Sequence, residues 1–208
     1  MTLVRSVRIV SARAEERSVP AVTEIGDAAL VLAVRGGDRK AEERLVARYA
    51  PLIGTIAARL LGSRQDAEDV AQDALIAALT GLDRLRDPAA FRPWLTRITV
   101  LRVREIIRRR RIARALGIGV VVPDVTLEAT AAPTTSGEAR AELALIDRVL
   151  VRLPTDLRIA WMLRHVEGLE LTEIADACAC SLATVKRRIA AAEAKVSQHV
   201  RMPEEDAP

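Results

Sequence analysis

The chain has 208 residues, of which 50% are hydrophobic and 29% are charged, a balance typical of globular domains. Two Trp, one Tyr and one Phe are its only aromatic residues, so we do not expect an aromatic-lined cofactor pocket. No apolar run approaches the roughly 20 residues that cross a bilayer, and the N-terminus lacks a signal-peptide core. Two cysteines are too few for a disulfide framework and fit a reducing compartment. We therefore expect a cytoplasmic protein that does not insert into membranes.

The net charge is only +4, but the basic residues are distributed unevenly. From Arg97 to Arg114 the chain carries eight arginines against a single acid, Glu105. An arginine density of this kind suits a polyanion, and nucleic acid is the leading candidate. A solvated face or a membrane-surface face is the alternative interpretation.

Apolar residues at intervals of three and four predict a first helical set. Its helices cover residues 25–35, 38–62, 63–80 and a stretch that begins at about Trp94. Asp38 and Ser63 are the expected N-caps, and Pro51 either bends or divides the second helix. The first helix is expected to pack through Ile25, Ala28, Ala29 and Leu32. Residues 81–93 form a loop before the arginine-rich helix.

A second helical set follows a stretch that lacks helical periodicity and contains Gly, Pro, Thr and Ser. Its helices are expected at roughly 138–153, 154–166, 171–178 and 181–200. The predicted fold class is all-α, with two small helical domains joined by a flexible linker, the second being a helix-turn-helix domain. The predicted division is a mobile tail 1–24, a first domain 25–113, a linker 114–137, a second domain 138–202 and a tail 203–208.

Residues 171–189 indicate a helix, a tight turn and a second helix. The two apolar stripes that would face each other are Leu171, Ile174, Ala175 and Cys178 on one helix and Leu182, Val185 and Ile189 on the other. Ser181 is the expected cap of the second helix. Ala183, Thr184 and Arg187 then point outward, with Lys186 and Arg188 beside them, which suits the DNA major groove. The alternative is a helical hairpin whose basic face is merely solvated.

An acidic face on the third helix is the second candidate surface. Asp66, Asp69, Gln72 and Asp73 lie on it, so it is either solvated or faces a basic partner. No His or loop glycine accompanies these acids, which disfavours a metal site. Cys178 and Cys180 with a distant His165 are too few ligands for zinc and are interpreted as structural thiols. Since no nucleophile-and-base pair, P-loop or dinucleotide fingerprint occurs, we expect no enzyme activity, metal or cofactor.

Two motif sets together resemble the extracytoplasmic-function (ECF) group of bacterial sigma factors, the promoter-specificity subunits of RNA polymerase. The first set, similar to sigma region 2, comprises Gly37-Asp38, Ala41, Leu45, Arg48-Tyr49, Pro51, the run from Asp66 to Asp73, Phe91, Trp94-Leu95 and Ile98. The second, similar to region 4, comprises Leu153-Pro154, Arg158, Glu167-Gly168, Glu173-Ile174-Ala175 and Thr184-Val185-Lys186. The resemblance covers about Ile25 to Val200. Arg187 stands where the family commonly has a small residue.

The resemblance implies a role for each surface. Asp66, Asp69, Gln72 and Asp73 are expected to bind the clamp helices of the largest polymerase subunit. Contacts to the minus-10 promoter element fall to Arg97, Arg102, Arg104, Arg108, Arg109 and Arg111, with the loop from Leu82 to Ala90 helping to hold a flipped base. Contacts to the minus-35 element fall to Ser181, Ala183, Thr184, Lys186, Arg187 and Arg188. An anti-sigma factor is a further possible partner.

The function expected on these grounds is a sigma factor that binds core RNA polymerase and directs promoter recognition and transcription initiation. A linker of about 25 residues spans roughly 25 to 30 Å as a flexible coil and up to about 85 Å when extended. Two DNA contacts one or two helical turns apart, at about 34 Å per turn, are therefore within its range. The alternative is a helix-turn-helix repressor or activator that binds duplex DNA alone. A helical adaptor that binds protein through the acidic face is a third interpretation, but it leaves the arginine helix unexplained.

Overall fold

The computed structural model describes residues 25–117 and 137–200, which form helices and turns without any strand. The helices of this part of the chain are α1 (Asp27–Arg35), α2 (Arg39–Leu61), α3 (Arg64–Thr80), α4 (Phe91–Ala115), α5 (Gly137–Arg152), α6 (Thr155–His165), α7 (Leu171–Cys178) and α8 (Leu182–Val200). Short 3₁₀ turns cover Leu82–Arg84 and Pro88–Ala90. The all-α prediction is confirmed. The predicted tails and most of the predicted linker lie outside the described residues.

The helices fall into two compact units, and none of those described is long and apolar enough to cross a membrane. The first unit contains α1 to α4, and the second contains α5, α6, α8 and most of α7. The core of the first unit is a cluster from every helix and the loop, including Leu30, Leu45, Ile53, Ala74 and Leu95. Three of the four aromatic residues, Tyr49, Phe91 and Trp94, pack in this unit, and the rings of Tyr49 and Phe91 meet edge to face at 5.1 Å.

Helix α1 packs through a different face from the predicted one. Ile25 and Leu32, two of the expected core residues, are exposed, whereas Leu30 and Val31 are fully buried. Val34, which packs against the same core, follows Leu30 and Val31 at spacings of four and three residues, so the apolar pattern of this short helix is compatible with two rotations about its axis. The sequence pattern alone selected the wrong one.

The rotation of α1 is fixed by Asp27 in its first turn. One carboxylate oxygen of Asp27 pairs with Arg48 of α2 at 2.6 Å, and the other accepts a hydrogen bond from the Tyr49 hydroxyl. Asp27 must therefore face α2, and the residues three and four positions later, Leu30 and Val31, follow it onto the same side. Polar contacts thus decide a choice that the apolar pattern leaves open.

Helix α2 runs unbroken through Pro51, so this proline does not divide it. The predicted cap is confirmed, because the Asp38 carboxylate accepts from the backbone amides of Lys40 and Ala41 at 2.9 and 3.2 Å. At the other end Gly62 adopts a left-handed conformation with φ 64° and closes the helix. Ser63 then caps α3 by accepting from the amide of Asp66 at 3.3 Å, as predicted.

Helix α4 begins at Phe91, earlier than the predicted start at Trp94. Pro93 lies in its first turn, where a helix does not use the amide hydrogen that proline lacks, so it begins the helix instead of preceding it. The helix continues to Ala115, past the predicted domain end at residue 113. In the preceding loop, the Arg35 guanidinium donates to the carbonyls of Leu82, at 2.8 Å, and Leu85.

The second unit is organised around α6. A run of five consecutive residues in this helix, from Ile159 to Leu163, is buried. Such a helix must be covered on most sides, and α8 packs against it with Val185, Ala192 and Val196 buried. This packing holds α8 in place, and its outward face is the candidate DNA-reading surface.

We expect Tyr49 to resist ionisation. Burial raises the pKa of its hydroxyl well above the ordinary value, and the hydrogen bond to Asp27 adds to the effect. The folded state therefore holds this proton more tightly than the unfolded state, and the resulting stability is present below about pH 10 and lost as the pH rises. Since Tyr49 is the only tyrosine, tyrosinate absorbance reports this one group. The native protein should show no step near pH 10, whereas denaturant should restore one; a step near pH 10 in the folded protein would contradict this account.

Candidate functional site

The acidic face of α3 is exposed on the side of the helix opposite its apolar residues, as the sequence pattern predicts. Ala67, Val70, Ala74 and Ala78 are buried on the inner side of the helix. Asp69, Gln72 and Asp73 are exposed on the outer side. Two carboxylates one turn apart thus face solvent, a surface that favours a basic partner.

Asp66 differs from the other acids of this face, because the fold uses its carboxylate. Arg110 of α4 donates to Asp66 through one terminal nitrogen and to the carbonyl of Leu61 through the other, at 2.6 Å. The Arg110 side chain is only 14% exposed. Sequence analysis missed this pair. The available signal was the spacing of seven residues from Val103, which is fully buried and shares a helix face with Arg110.

The six arginines of α4 predicted to bind DNA lie on two faces. Arg97, Arg104, Arg108 and Arg111 follow a spacing of 7, 4 and 3 residues, which places them on one side of the helix. Arg97, Arg108 and Arg111 are exposed there, and Arg104 is half-buried. Arg102 and Arg109 lie on another side, where both approach the carboxylate of Glu105, at 3.6 and 2.5 Å. Arg104 donates to the backbone carbonyl of Cys178 at 3.2 Å, so Arg97, Arg108 and Arg111 form the exposed cationic surface.

A groove of about 340 Å³ lies where the end of α3 meets the following turn and α4. It is lined by Asp73, Ile76, Ala77, Thr80, Gly81, Arg84 and Arg102. Ile76 is 55% exposed beside it. Its wall is tight at Gly81, because a Cβ atom there would come within 3.0 Å of the Ala77 carbonyl and 3.7 Å of the Trp94 ring. The sequence predicted the acids of this region but not the groove.

Helices α7 and α8 form the predicted helix-turn-helix. The amide of Cys180 donates to the carbonyl of Ala175 at 3.0 Å, which closes α7. Ala179 turns the chain with φ 51°, the one left-handed non-glycine residue in the described part of the chain. The Ser181 hydroxyl accepts from the amide of Thr184 at 3.2 Å and lies 2.9 Å from the Thr184 hydroxyl. The predicted cap of α8 is thus confirmed.

The outward face of α8 carries most of the residues predicted to read DNA. Ala183, Lys186 and Arg187 are exposed and Thr184 is half-buried, whereas Val185 and Ile189 face the core. Leu182, expected in the apolar stripe, is exposed instead, because it is the first residue of the helix and lies at the edge of the packed surface. A cation, a hydroxyl and a small side chain remain available on one face.

Arg188, predicted beside this face, is directed inward by the structure. One terminal nitrogen of its guanidinium donates to the Asp156 carboxylate at 2.5 Å, and the other lies 3.4 Å from the Cys180 sulfur. Its side chain is only 20% exposed. Arg188 thus links α8 to the first turn of α6, a contact between residues distant in sequence that no local pattern indicates.

His165 is engaged within the fold. Its Nε2 atom lies 2.9 Å from the carboxylate of Glu193 on α8, and its ring lies 4.9 Å from that of Trp161. Burial lowers the pKa of the His165 ring below its ordinary value, and the nearby Glu193 carboxylate opposes this effect. The ring therefore joins α6 to α8.

Comparison with known proteins assigns both units. Sigma-70 region 2 matches residues 45–112, and Sigma-70 region 4 matches residues 143–196. The RNA polymerase sigma-H factor of Pseudomonas aeruginosa is 33% identical over 182 residues, which covers 81% of this chain and 90% of that protein. The ECF RNA polymerase sigma-E factor of Escherichia coli K12 is 31% identical over 191 residues, which covers 85% of this chain and 95% of that protein.

Solved structures agree with this assignment. The structure of CnrH in complex with the cytosolic domain of CnrY has a TM-score of 0.63 at 27% identity, and the match covers 86% of this chain and 99% of CnrH. The sigma factor RpoE of Bartonella quintana, solved with the anti-sigma factor NepR, has the same fold, with a TM-score of 0.62 over 78% of this chain and 98% of RpoE at 21% identity.

The chain belongs to the ECF group of the sigma-70 family of RNA polymerase sigma factors. Its function is promoter recognition in transcription initiation, as the sequence motifs predict. Both sigma regions occur in the expected order, which sets aside the alternatives of a stand-alone repressor or activator and of an adaptor without DNA.

The Arg110 side chain should stabilise the folded protein, whereas the neighbouring Arg111 side chain should not. Arg110→Ala removes the contacts to Asp66 and Leu61, and we expect the free energy of unfolding to fall by about 1 to 2 kcal/mol. Arg111→Ala is the matched control, since the same side chain is exposed one residue later and its loss should cost less than about 0.5 kcal/mol. Urea unfolding of both variants provides the measurement. Equal destabilisation would show that the ion pair does not hold α3 to α4.

Proposed function

We propose that three surfaces divide the work of this sigma factor. Asp69, Gln72 and Asp73 on α3 dock on a basic surface of core RNA polymerase. The observation that supports this is the exposure of these polar side chains on a helix whose other face is buried. Asp66 contributes to the same face with its charge already paired to Arg110, so it chiefly positions α3 against α4.

The cationic face of α4 is the proposed minus-10 surface. Arg97, Arg108 and Arg111 are exposed on one side of the helix, so together they can follow a phosphate backbone, whereas Arg104 on the same side donates to the carbonyl of Cys178. Arg102 and Arg109 share the carboxylate of Glu105 and therefore offer a weaker field to DNA. The loop between residues 82 and 90, fastened to α1 by Arg35, is the proposed holder of a flipped base.

The outward face of α8 is the proposed minus-35 surface. Arg187 is the candidate for base recognition, since an exposed guanidinium can donate two hydrogen bonds to guanine in the major groove. Lys186 and the small Ala183 adjoin it, and Thr184 and Ser181 fix the start of the helix. Arg188 is assigned a positioning role, because its guanidinium is bonded to Asp156.

The proposed partners are core RNA polymerase, promoter DNA and an anti-sigma factor. The relative from Bartonella quintana was solved with an anti-sigma factor, which supports a similar partner for this chain. Initiation then rests on binding energy, without a catalytic residue or a cofactor supplied by this chain. The proposed location is the cytoplasm, where the polymerase and the promoter lie. The segment between Ala115 and Gly137 is the proposed link between the two promoter-binding domains.

Reversing the charge of the acidic face of α3 should weaken its binding to core RNA polymerase. We expect Asp69→Lys combined with Asp73→Lys to lower the affinity for core enzyme by about tenfold or more, because attraction to a basic surface becomes repulsion. The free energy of unfolding should change by no more than about 0.5 kcal/mol, since both side chains are exposed. A fluorescence titration against core enzyme measures the affinity.

The matched control for this experiment is Glu42→Lys combined with Glu43→Lys. These two acids are also exposed, but they lie on α2. The control changes the net charge by the same amount and should retain the affinity of the unaltered protein. An equal loss in both double variants would show that net charge, and not the α3 face, governs binding.

Arg187 and Lys186 should have different effects on promoter choice. Arg187→Ala should relax the preference at one upstream base position, by about 1 to 3 kcal/mol, because a bidentate contact is lost. Lys186→Ala should weaken transcription from all promoters by a similar factor, because a phosphate contact carries no sequence information. A promoter library transcribed with core enzyme distinguishes these outcomes. An unchanged base preference for Arg187→Ala would remove this residue from the reading surface.

A further inference from the structure

One apolar side chain interrupts the cationic surface of α4. Leu101 lies four residues after Arg97 and seven residues before Arg108, a spacing that places all three on one side of the helix. It is 48% exposed. Neither the polymerase-binding surface nor the arginine contacts proposed above use this leucine.

Leu101 faces directly away from the core. Thr99 and Val103, two residues before and two residues after it, are both fully buried. Two residues correspond to about 200° around an α-helix, so the Leu101 side chain lies on the opposite side from these two. A single exposed leucine is common on protein surfaces, so its exposure alone indicates no site. The position of Leu101 among the cations carries the inference.

The cations on either side of Leu101 determine which partner approaches it. Arg97 and Arg108 are exposed, whereas Arg104, which lies between them, donates to the carbonyl of Cys178 at 3.2 Å. At a rise of about 1.5 Å per residue, Arg97 and Arg108 are about 16 Å apart along the helix axis, and Leu101 lies about 6 Å from Arg97. A polyanion held by both exposed guanidinium groups therefore passes over this leucine.

The chemistry of leucine restricts what it can recognise in a nucleic acid. Its side chain neither donates nor accepts a hydrogen bond, so it can favour one base over another only through apolar contact. Thymine is the DNA base that carries an apolar group, the C5-methyl, on its major-groove edge. Contact with that methyl group is the selective interaction open to Leu101.

We propose that Leu101 is a base-reading residue of the minus-10 surface and that it contacts the C5-methyl group of a thymine in the promoter. Arg97 and Arg108 hold the phosphate backbone on either side, which positions the base without reading it. Leu101 then adds a preference for thymine at one position. This inference rests on the proposed minus-10 role of α4 and adds a sequence-reading contact to it.

Deoxyuridine tests this contact at the level of one methyl group, because it lacks the C5-methyl of thymidine and keeps the same hydrogen-bonding groups. A promoter selected from a library is prepared with each thymine of its minus-10 element, on either strand, replaced in turn. With the full-length protein and core enzyme, one of these fragments should require about threefold more holoenzyme to form an open complex. A minus-10 element without thymine, or one in which no replacement has an effect, would overturn the proposal.

Variants of the protein assign the methyl contact to one side chain. Leu101→Ala should bind the thymine and deoxyuridine forms of the sensitive fragment equally, because the contacting group is gone, whereas Leu101→Met should keep most of the difference. Leu32→Ala is the matched control, since Leu32 is 57% exposed on α1, outside the proposed DNA surfaces, and it should keep the full threefold difference. Circular dichroism checks that the variants fold.

Two results from these variants would contradict the assignment. An undiminished deoxyuridine effect in Leu101→Ala would show that another group contacts the methyl. A uniform loss on every fragment, with or without the methyl, would show that Leu101 acts as a wedge between bases and does not read thymine.

The closing experiment separates the Leu101 contact from the proposed function of α4. Arg97→Ala combined with Arg108→Ala should weaken open-complex formation on all fragments by a similar factor and leave the deoxyuridine effect in place. Unchanged open-complex formation by this double variant would count against the minus-10 role of α4, and the response of Leu101→Ala would still decide the methyl contact. Weakened complexes, together with equal deoxyuridine effects in Leu101→Ala and the unaltered protein, would rule out the Leu101 contact alone.

Discussion

The ion pair between Arg110 and Asp66 determines how the first unit presents its charges. By joining α4 to α3, it places one arginine of the densest basic stretch inside the fold and fixes the rotation of the long helix. With Arg110 directed inward, Arg97, Arg108 and Arg111 are directed outward by helical geometry. One contact therefore sets the positions of both the acidic surface on α3 and the cationic surface on α4.

The second unit uses the same arrangement on a smaller scale. Arg188 lies on α8 beside the exposed Lys186 and Arg187, yet its guanidinium is held by Asp156 of α6. The neighbouring Arg187 is left exposed. In both units an arginine that is anchored by a carboxylate lies next to an arginine that faces outward, so charge density in the sequence overstates the number of cations available to DNA. Geometry, and not composition, separates the arginines that support the fold from those that face outward.

Local patterns predicted most of the helices and their caps, because three-and-four spacing and N-cap chemistry act between near neighbours. Asp38, Ser63 and Ser181 all cap the helices as expected. The errors arose where distant residues decide. The rotation of α1 depends on Asp27 meeting Arg48 and Tyr49, and the role of Arg188 depends on Asp156, and no periodicity within one helix reports such pairs. Helical spacing identified the acidic face and the family resemblance supplied its expected partner, whereas the groove beside Ile76 exists only once the elements have packed.

The two hydrogen bonds from Arg35 to the loop carbonyls have an entropic consequence. A loop that receives a nucleotide must be ordered at some stage, and ordering it during binding would subtract from the affinity. Because Arg35 holds the carbonyls of Leu82 and Leu85 in the protein on its own, that ordering accompanies folding. In the proposed role the loop would therefore meet DNA already ordered, and helix α1, which has no place in the proposed DNA surfaces, would set how rigid the loop is.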